Sequence, residues 1–202
     1  MGVKTGCVIL AGGKSSRMGE DKALLTYEGK IFVEKIAEEL NFFEEKMIAR
    51  GNNPVPGDFV KKDSWEVVPD EYENHGPLGG LQAALKKCRS DAMFVVTCDI
   101  PLISKRLVKK ICDIFEQEDK NDAIVVITGD GKIHPLCGIY RKELHTCMEK
   151  SLLQNNNRMV SILEQIKVKY IELDDLDSIY LNNINTRVEY QNLIRGYERG
   201  LK

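Results

Sequence analysis

The sequence has few of the features that mark membrane proteins or nucleic-acid-binding proteins. Its N-terminal apolar run covers only residues 7–11, which is too short for a signal-peptide core or a membrane span. The formal net charge of -2 over 202 residues gives no basic excess for non-specific nucleic-acid binding. We therefore expect a cytoplasmic protein that has neither nucleic acid nor a membrane as a partner.

Cysteine and histidine are also poorly spaced for metal binding. The six cysteines form no CxxC pair, and most lie within apolar runs. The three histidines show neither HxH nor HExxH spacing. These patterns favour buried free thiols in a reducing compartment over disulfides. They also argue against a zinc cage built by the protein alone.

What the sequence does contain is a regular alternation of strand and helix patterns, over a length that suits one domain, residues 1–202. Strands are predicted at residues 3–10, 46–49, 65–68, 92–98, 123–128, 135–140, 168–173 and 181–184. Helices are predicted at residues 30–40, 78–87, 103–116, 143–153 and 159–165, and a last helix opens at Thr186. This order predicts an α/β, Rossmann-like three-layer fold, with a mostly parallel central sheet and helices on both faces. Ligands bind such sheets at the carboxyl ends of the strands.

The segment of residues 10–22, LAGGKSSRMGEDK, directly follows the first predicted strand. Gly12 and Gly13 let the backbone turn sharply and bring N–H groups close to phosphate oxygens. Arg17 and Lys22 add fixed positive charge where a triphosphate would lie. The segment matches neither the Walker loop nor the GxGxxG fingerprint, and the alternative is a glycine-rich turn with exposed basic residues. Its place after a buried strand favours phosphate binding.

Two carboxylates follow other predicted strands. Asp70 comes shortly before a glycine-rich stretch in which Gly79 lets a helix approach a ligand closely, although Gly80 could instead serve only to pack the helix against a strand. Asp99 ends a buried strand and is held by the proline two positions later. One rigid carboxylate is sufficient for Mg²⁺, which otherwise binds water and phosphate oxygens. The alternative role for Asp99 is to cap the next helix, although Ser104 can do so itself.

A last group of polar residues lies in the C-terminal half. Asn183 and Asn185 are two positions apart, so on the predicted strand their side chains would point the same way. His134 precedes a proline and is either a satisfied loop histidine or part of a binding site. The acidic residues at positions 172, 174, 175 and 177 are predicted to form a solvated face.

These motifs resemble the signature of the nucleotidyltransferases that activate sugars, isoprenoid precursors and molybdopterin. The pattern LAGGxSxRMGxDKALL is most similar to the molybdenum cofactor guanylyltransferase (MobA) family, and the resemblance runs from Val8 to Asn192. It implies a nucleotidyltransferase fold with three groups of binding residues. The implied nucleotide contacts are Leu10, Ala11, Gly12, Gly13, Lys22, Asn52, Asp70, Gly79 and Asp99. The implied Mg²⁺ ligand is Asp99, and the implied acceptor-side residues are His134, Asn183 and Asn185.

The resemblance implies transfer of GMP from GTP to the terminal phosphate of molybdenum-bound molybdopterin, with release of pyrophosphate. Arg17, Lys22 and Mg²⁺ on Asp99 would act by positioning and charge neutralisation during in-line attack. Transient contacts with cofactor-insertion or other cofactor-biosynthesis proteins are expected. The alternatives are a CTP-dependent molybdopterin cytidylyltransferase, a sugar- or isoprenoid-phosphate nucleotidyltransferase, and a non-catalytic adaptor. One departure from the family stands out, since Arg187 replaces the usual helix-starting proline.

Overall fold

A seven-stranded sheet forms the centre of the protein. The computed structural model describes residues 2–12, 21–55, 57–72, 75–117 and 120–198. The strands are β1 (Thr5–Leu10), β2 (Thr26–Tyr27), β3 (Lys30–Ile31), β4 (Lys46–Ala49), β5 (Glu66–Val68), β6 (Ala92–Thr97), β7 (Ala123–Ile127), β8 (Ile133–Arg141) and β9 (Val168–Glu172). The order across the large sheet is β5-β4-β1-β6-β8-β7-β9, and β2 pairs with β3 as a separate hairpin. β8 runs antiparallel to β6 and β7, whereas the other pairs in the large sheet are parallel.

Helices cover both faces of this sheet. They are α1 (Phe32–Leu40), α2 (Phe59–Lys62), α3 (Pro77–Lys87), α4 (Lys105–Glu116), α5 (His145–Leu153), α6 (Met159–Leu163), α7 (Asp175–Ser178) and α8 (Arg187–Glu198). Buried side chains of α1 and α4 pack on one face with alternate residues of β1 and β6. Those of α3, α5 and α6 pack on the other face. The predicted three-layer α/β arrangement with a mostly parallel sheet is therefore confirmed.

Local sequence signals determine where helices α3 and α4 begin. Gly76 adopts a φ of +64°, a conformation that favours glycine, and Pro77 then occupies the first turn of α3, where its missing N–H leaves no bond unmade. Ser104 caps α4 by accepting a hydrogen bond from the Leu107 N–H at 3.3 Å. Asp99 is therefore not needed as the cap of that helix.

The predicted strand at residues 181–184 is wrong. Residues Ile179–Leu181 form a 3₁₀ turn, and no strand follows it before α8. The Ile184 N–H bonds the Asp99 carbonyl at 2.8 Å instead of a neighbouring strand. The argument that Asn183 and Asn185 share a strand face therefore fails, although both residues still lie beside Asp99.

Three smaller outcomes concern the helix boundaries, the charges and the thiols. The predicted helix at residues 30–40 begins only at Phe32, because the two residues before it pair in the β2–β3 hairpin. Asp177 does not lie on a solvated face. It is 1% exposed and is paired with Arg106 and, at 2.8 Å, with Lys110 of α4. All six cysteines are free thiols, and four of them are buried as predicted, whereas Cys112 and Cys147 are partly exposed. Within the described ranges, no helix is long and apolar enough to cross a membrane.

Candidate active site

The carboxyl ends of β1 and β6 and the start of β8 open into one cavity of about 360 Å³. Since β8 is antiparallel, its first residues lie at the same edge of the sheet as the last residues of its parallel neighbours. The predicted site residues that line this cavity are Leu10, Ala11, Gly12, Lys22, Asp99, His134 and Asn183. The cavity therefore brings together segments that are far apart in the sequence, at the edge where ligands bind in such folds.

Lys22 reaches into this cavity from a short 3₁₀ turn, Lys22–Leu24. Asp21 caps the turn, because its Oδ1 accepts a hydrogen bond from the Ala23 N–H at 3.1 Å. The Lys22 Nζ donates to Asn185 Oδ1 at 2.5 Å and lies 3.9 Å from Asp99 Oδ2. The turn thus holds one ammonium group between an amide and a carboxylate that come from two other segments.

Asp99 is held by two hydrogen bonds, one to its side chain and one to its backbone. Its Oδ1 accepts a hydrogen bond from the Thr97 hydroxyl, and its carbonyl accepts one from the Ile184 N–H at 2.8 Å. The side chain is 17% exposed and that of Lys22 is 19% exposed, so both charges are largely shielded but remain accessible to a ligand. Partial burial strengthens the electrostatic effect of each charge on phosphate oxygens.

The segment that carries the two asparagines is fixed by the start of α8. Glu189 Oε2 accepts hydrogen bonds from the N–H groups of Asn185, at 2.7 Å, and Thr186, at 2.8 Å. In return, the Glu189 N–H donates to Thr186 Oγ1 at 3.2 Å. This reciprocal pair is a capping box, and it starts the helix without the proline that Arg187 replaces.

The backbone of residues 10–12 lies close to its neighbours at the edge of the cavity. A Cβ built on Gly12 would lie 3.6 Å from the carbonyl carbon of Arg50. The Ala11 N–H bonds the Ala49 carbonyl at 2.8 Å, and the Leu10 carbonyl accepts the Cys98 N–H at 3.0 Å. The first part of the motif therefore continues the sheet up to the cavity, which Leu10, Ala11 and Gly12 line.

Asn52, Asp70 and Gly79 do not line the cavity itself. Asp70 lies beside it, with its Oδ1 3.3 Å from the Cβ position of Gly80 and its Oδ2 3.6 Å from that of Gly51. Asn52 belongs to the turn after β4. Gly79 packs under the backbone of Tyr72, whose carbonyl oxygen lies 3.0 Å from its Cβ position. Of the three, only Asp70 is placed by these contacts next to the segments that flank the cavity, since Gly80 also lies against Leu10.

His134 lies on β8 rather than in a loop. It is 7% exposed, and its Nε2 lies 3.3 Å from Thr128 Oγ1. Burial lowers the pKa of His134 below its ordinary value, and the charge of Lys132 lowers it further. The imidazole is therefore neutral near pH 7, so it contributes hydrogen bonding to the cavity rather than charge.

Comparison with known proteins assigns the family. Residues 7–169 match the model of the MobA-like NTP transferase domain. The chain belongs to the MobA-like NTP transferase family. It is 35% identical to a Clostridium perfringens protein named "Probable molybdenum cofactor guanylyltransferase", over 97% of this chain and 99% of that protein.

Solved structures of similar proteins agree with this assignment. A crystal structure of a protein from Aquifex aeolicus is 31% identical, with a TM-score of 0.73 over 92% of this chain and 95% of that one. Molybdopterin-guanine dinucleotide biosynthesis protein A from Archaeoglobus fulgidus is 20% identical and shares the fold, with a TM-score of 0.82 over 96% and 99%. As a MobA-like NTP transferase, the chain is an enzyme of the nucleotidyltransferase class.

Nucleotidyltransferases of this kind use a divalent metal ion, and the residues around Asp99 suit one. Within the ranges that the structure describes, no three histidine, cysteine or acidic side chains cluster as a protein-built cage. Asp99 supplies a carboxylate whose Oδ1 already has a donor, Thr97, which orients the group. A hard cation that binds one carboxylate and takes its other oxygens from water and phosphate fits this arrangement.

Some residues predicted for the site lie outside the described ranges, and others that the site contains were not predicted. Gly13 and Arg17 lie outside the described residues. The structure adds Arg50, whose Nη2 bonds Asp21 Oδ2 at 2.8 Å, and Glu189. Glu189 has a sequence signal, because it stands three positions after Thr186 in the capping-box pattern. Arg50 has none, since a single arginine after a short strand is ordinary.

Proposed function

We propose that this chain transfers GMP from GTP to the terminal phosphate of molybdenum-bound molybdopterin, with release of pyrophosphate. The observation that carries the proposal is the placement of Lys22 and Asp99, 3.9 Å apart, in the cavity at the carboxyl edge of the sheet. A cation and a carboxylate at that spacing can hold a phosphate chain together with its metal ion. The name of the Clostridium perfringens relative, a probable molybdenum cofactor guanylyltransferase, supports the choice of nucleotide and acceptor.

The nucleotide would enter above β1 and β4. In this proposal the backbone of Leu10, Ala11 and Gly12 supports the nucleotide. The base and ribose lie toward Asn52, Asp70 and Gly79. A carboxylate suits guanine because its N1–H and its 2-amino group both donate hydrogen bonds, whereas the Watson–Crick edge of cytosine donates only through its 4-amino group. The Asp70 side chain, next to Gly51 and Gly80, is within the part of the site where this contact would form.

The proposed reaction is an in-line displacement at the α-phosphate of GTP. An oxygen of the acceptor phosphate forms the new P–O bond as the bond to the β-phosphate breaks, and pyrophosphate leaves with that electron pair. The acceptor phosphate is already ionised near neutral pH, so no strong general base is required. A divalent metal ion on Asp99, Mg²⁺ in this proposal, would neutralise phosphate charge when bound. Lys22, whose Nζ lies 3.9 Å from Asp99, would also neutralise phosphate charge, and Arg17 is proposed to assist it.

The acceptor is proposed to bind on the side of the cavity formed by β8 and the segment before α8. Asn183 lines the cavity, and Asn185 bonds the Lys22 Nζ. The neutral, buried His134 can hydrogen-bond an acceptor group without adding charge. Positioning of two phosphates against each other would supply most of the acceleration, since the chain has no need of a covalent intermediate.

The test is a direct assay of pyrophosphate release. Purified protein is incubated with Mg²⁺ and each of the four nucleoside triphosphates in turn, with molybdenum-bound molybdopterin, a sugar phosphate or an isoprenoid phosphate as the acceptor. We expect release with GTP and formation of the guanine dinucleotide. Release with CTP alone would replace the proposal by the cytidylyltransferase, and release only with a sugar or isoprenoid phosphate as acceptor would replace molybdopterin. No release with any combination would favour a non-catalytic adaptor.

A further inference from the structure

Arg50 is a buried arginine at the edge of the candidate site. It directly follows β4 and is 3% exposed. Its Nη2 bonds Asp21 Oδ2 at 2.8 Å, whereas Nε and Nη1 are buried with no acceptor in the part of the chain that the structure describes. Burying a charged group with unpaired donors opposes folding, so the stability of the fold does not explain why an arginine occupies this position.

The position of Arg50 relative to the sheet shows what it can reach. Ile48 packs on the sheet face covered by α1, and Ala49 packs on the face covered by α3. Alternation along the strand places Arg50 with Ile48, on the side where Ala23 is also buried. Arg50 therefore lies below the turn that carries Lys22, on the opposite side of the sheet from the glycines of α3.

Asp21 connects this arginine to the turn. Its Oδ2 binds Arg50, its Oδ1 caps the turn through the Ala23 N–H, and its carbonyl accepts the Leu24 N–H at 3.0 Å. The Asp21 side chain is 40% exposed, so water competes for it, whereas the Arg50 side chain is only 4% exposed. The buried guanidinium is the rigid partner of the pair, and it fixes the orientation of the capping carboxylate.

We propose that Arg50 is a positioning residue that acts through Asp21 on Lys22. The guanidinium fixes Asp21, Asp21 fixes the turn, and the turn directs the Lys22 Nζ toward Asn185 and Asp99. The inference rests on the proposed role of Lys22 at the phosphates. It does not depend on which base or acceptor the enzyme uses.

The first test is a double-mutant cycle between Arg50→Met and Lys22→Ala, read in single turnover with excess enzyme. Methionine keeps much of the length of the side chain and removes its charge and donors. We expect Arg50→Met to lower kcat/KM by about tenfold to a hundredfold when Lys22 is present, and to have little further effect in the Lys22→Ala background. Equal losses in both backgrounds would overturn the proposal.

Stability separates positioning from a structural role. Because Arg50→Met removes two buried donors that have no acceptor among the described residues, we expect its thermal midpoint to equal or exceed that of the wild type. A fall in the midpoint that accompanies the loss of activity would show that Arg50 only holds the fold. The matched control is Arg89→Met. Arg89 is 86% exposed and pairs with Glu45, which lies just before β4, at the end of the strand away from the cavity, and the change is expected to leave activity unaltered.

A second measurement needs no substrate, so it remains decisive if GTP or molybdopterin proves to be the wrong substrate. Lysine side chains are labelled with an amine-reactive reagent, and the rate at Lys22 is followed by mass spectrometry, with Lys86 as the internal reference. We expect Arg50→Met to raise the rate at Lys22 several-fold and to leave Lys86, which pairs with Glu71 at 2.7 Å, unchanged. An unchanged rate at Lys22 would refute the connection through Asp21, whereas a wild-type enzyme inactive on GTP would refute only the proposed substrate.

Discussion

Replacement of Glu189 tests whether the start of α8 organises the candidate active site. The Glu189 carboxylate accepts two backbone N–H groups, from Asn185 and Thr186, and Asn185 in turn accepts the Lys22 Nζ at 2.5 Å. Glu189→Ala removes the acceptor for both N–H groups. Glu189→Gln removes the charge but keeps an oxygen that can still cap the helix. The two variants therefore separate the loss of the cap from the loss of the charge.

The magnitude follows from the energetics of helix caps. Loss of a capping interaction costs about 1 kcal/mol of unfolding free energy, and a protein of this size then loses about 3 °C in thermal midpoint. We expect Glu189→Ala to show that loss and to lower kcat/KM by roughly tenfold, because Asn185 no longer holds Lys22 in place. Glu189→Gln should retain most of both quantities. Thermal unfolding and steady-state kinetics measure them.

The pH dependence of stability has a defined sign. The pKa of Glu189 lies below its usual value, chiefly because the carboxylate accepts the Asn185 N–H, and also because of Thr186 and the charge of Lys22. A lowered pKa in the folded state means that the charge contributes stability above the unfolded-state pKa, about 4.3, and that this contribution disappears as the pH falls through the folded-state value. The stability difference between wild type and Glu189→Gln should therefore be constant near neutral pH and shrink below about pH 4.3.

The control for this prediction is Glu164→Ala, at an exposed glutamate that follows α6. We expect it to change neither the thermal midpoint nor kcat/KM. If Glu189→Ala behaves like Glu164→Ala, the capping box does not organise the site and the reasoning is refuted. If Glu189→Ala loses stability but keeps full activity, the link from Asn185 to Lys22 has no part in catalysis.

Three further predictions test the site, the sheet and the thiols. Asp99→Ala should abolish turnover while circular dichroism shows a folded protein, and normal turnover would remove Asp99 from the mechanism. Gly138→Ala should cost about 3 kcal/mol in urea unfolding, because its Cβ would lie 2.1 Å from the Ile124 carbonyl oxygen. The control is Gly196→Ala, which should leave the free energy of unfolding unchanged or raise it, because nothing lies within 4 Å of its Cβ position. Equal effects of Gly138→Ala and Gly196→Ala on the free energy of unfolding would refute the β7–β8 pairing. In the folded protein at pH 8, iodoacetamide should label the partly exposed Cys147 first. The reason is that burial raises the pKa of the thiol to about 12 at Cys98, Cys112 and Cys137. Early labelling of Cys137 would contradict this prediction.

Most of the architecture was predictable because strongly apolar strands alternate with amphipathic helices. The predicted strand at residues 46–49 coincides with β4, and several other predicted elements differ from the structure by one or two residues at their ends. Two features required three-dimensional information. The antiparallel direction of β8 depends on its pairing with β6 and β7, which periodicity does not encode. The segment at residues 181–184 has two buried apolar residues, yet its backbone bonds Asp99 rather than a strand.

The residues of the candidate site also fall into two groups: those that the sequence predicts and those whose role appears only in the structure. The positions of Lys22 and Asp99 could be predicted because each stands at a strand end or in a motif with a chemical reason for its residue type. Glu189 also carries a local signal, because it stands three positions after Thr186 in the capping-box pattern, but its connection to Lys22 through Asn185 appears only in the structure. The role of Arg50 could not be predicted from its residue type, because it depends on a contact with Asp21, 29 positions away.

The geometry of Lys22 shows why such contacts matter for this enzyme. Its Nζ bonds Asn185, 163 positions away, and it lies near Asp99, so three separate segments define one ammonium position. The family match ends at residue 169, before Asn185 and Glu189, although relatives align over nearly the whole chain. A flexible lysine side chain loses conformational entropy when it is held in one rotamer, and its contacts with its partners must offset that loss. The N-terminal turn is fixed through Asp21, and the C-terminal segment is fixed by the start of α8. Together these two parts of the chain offset the loss of entropy at Lys22.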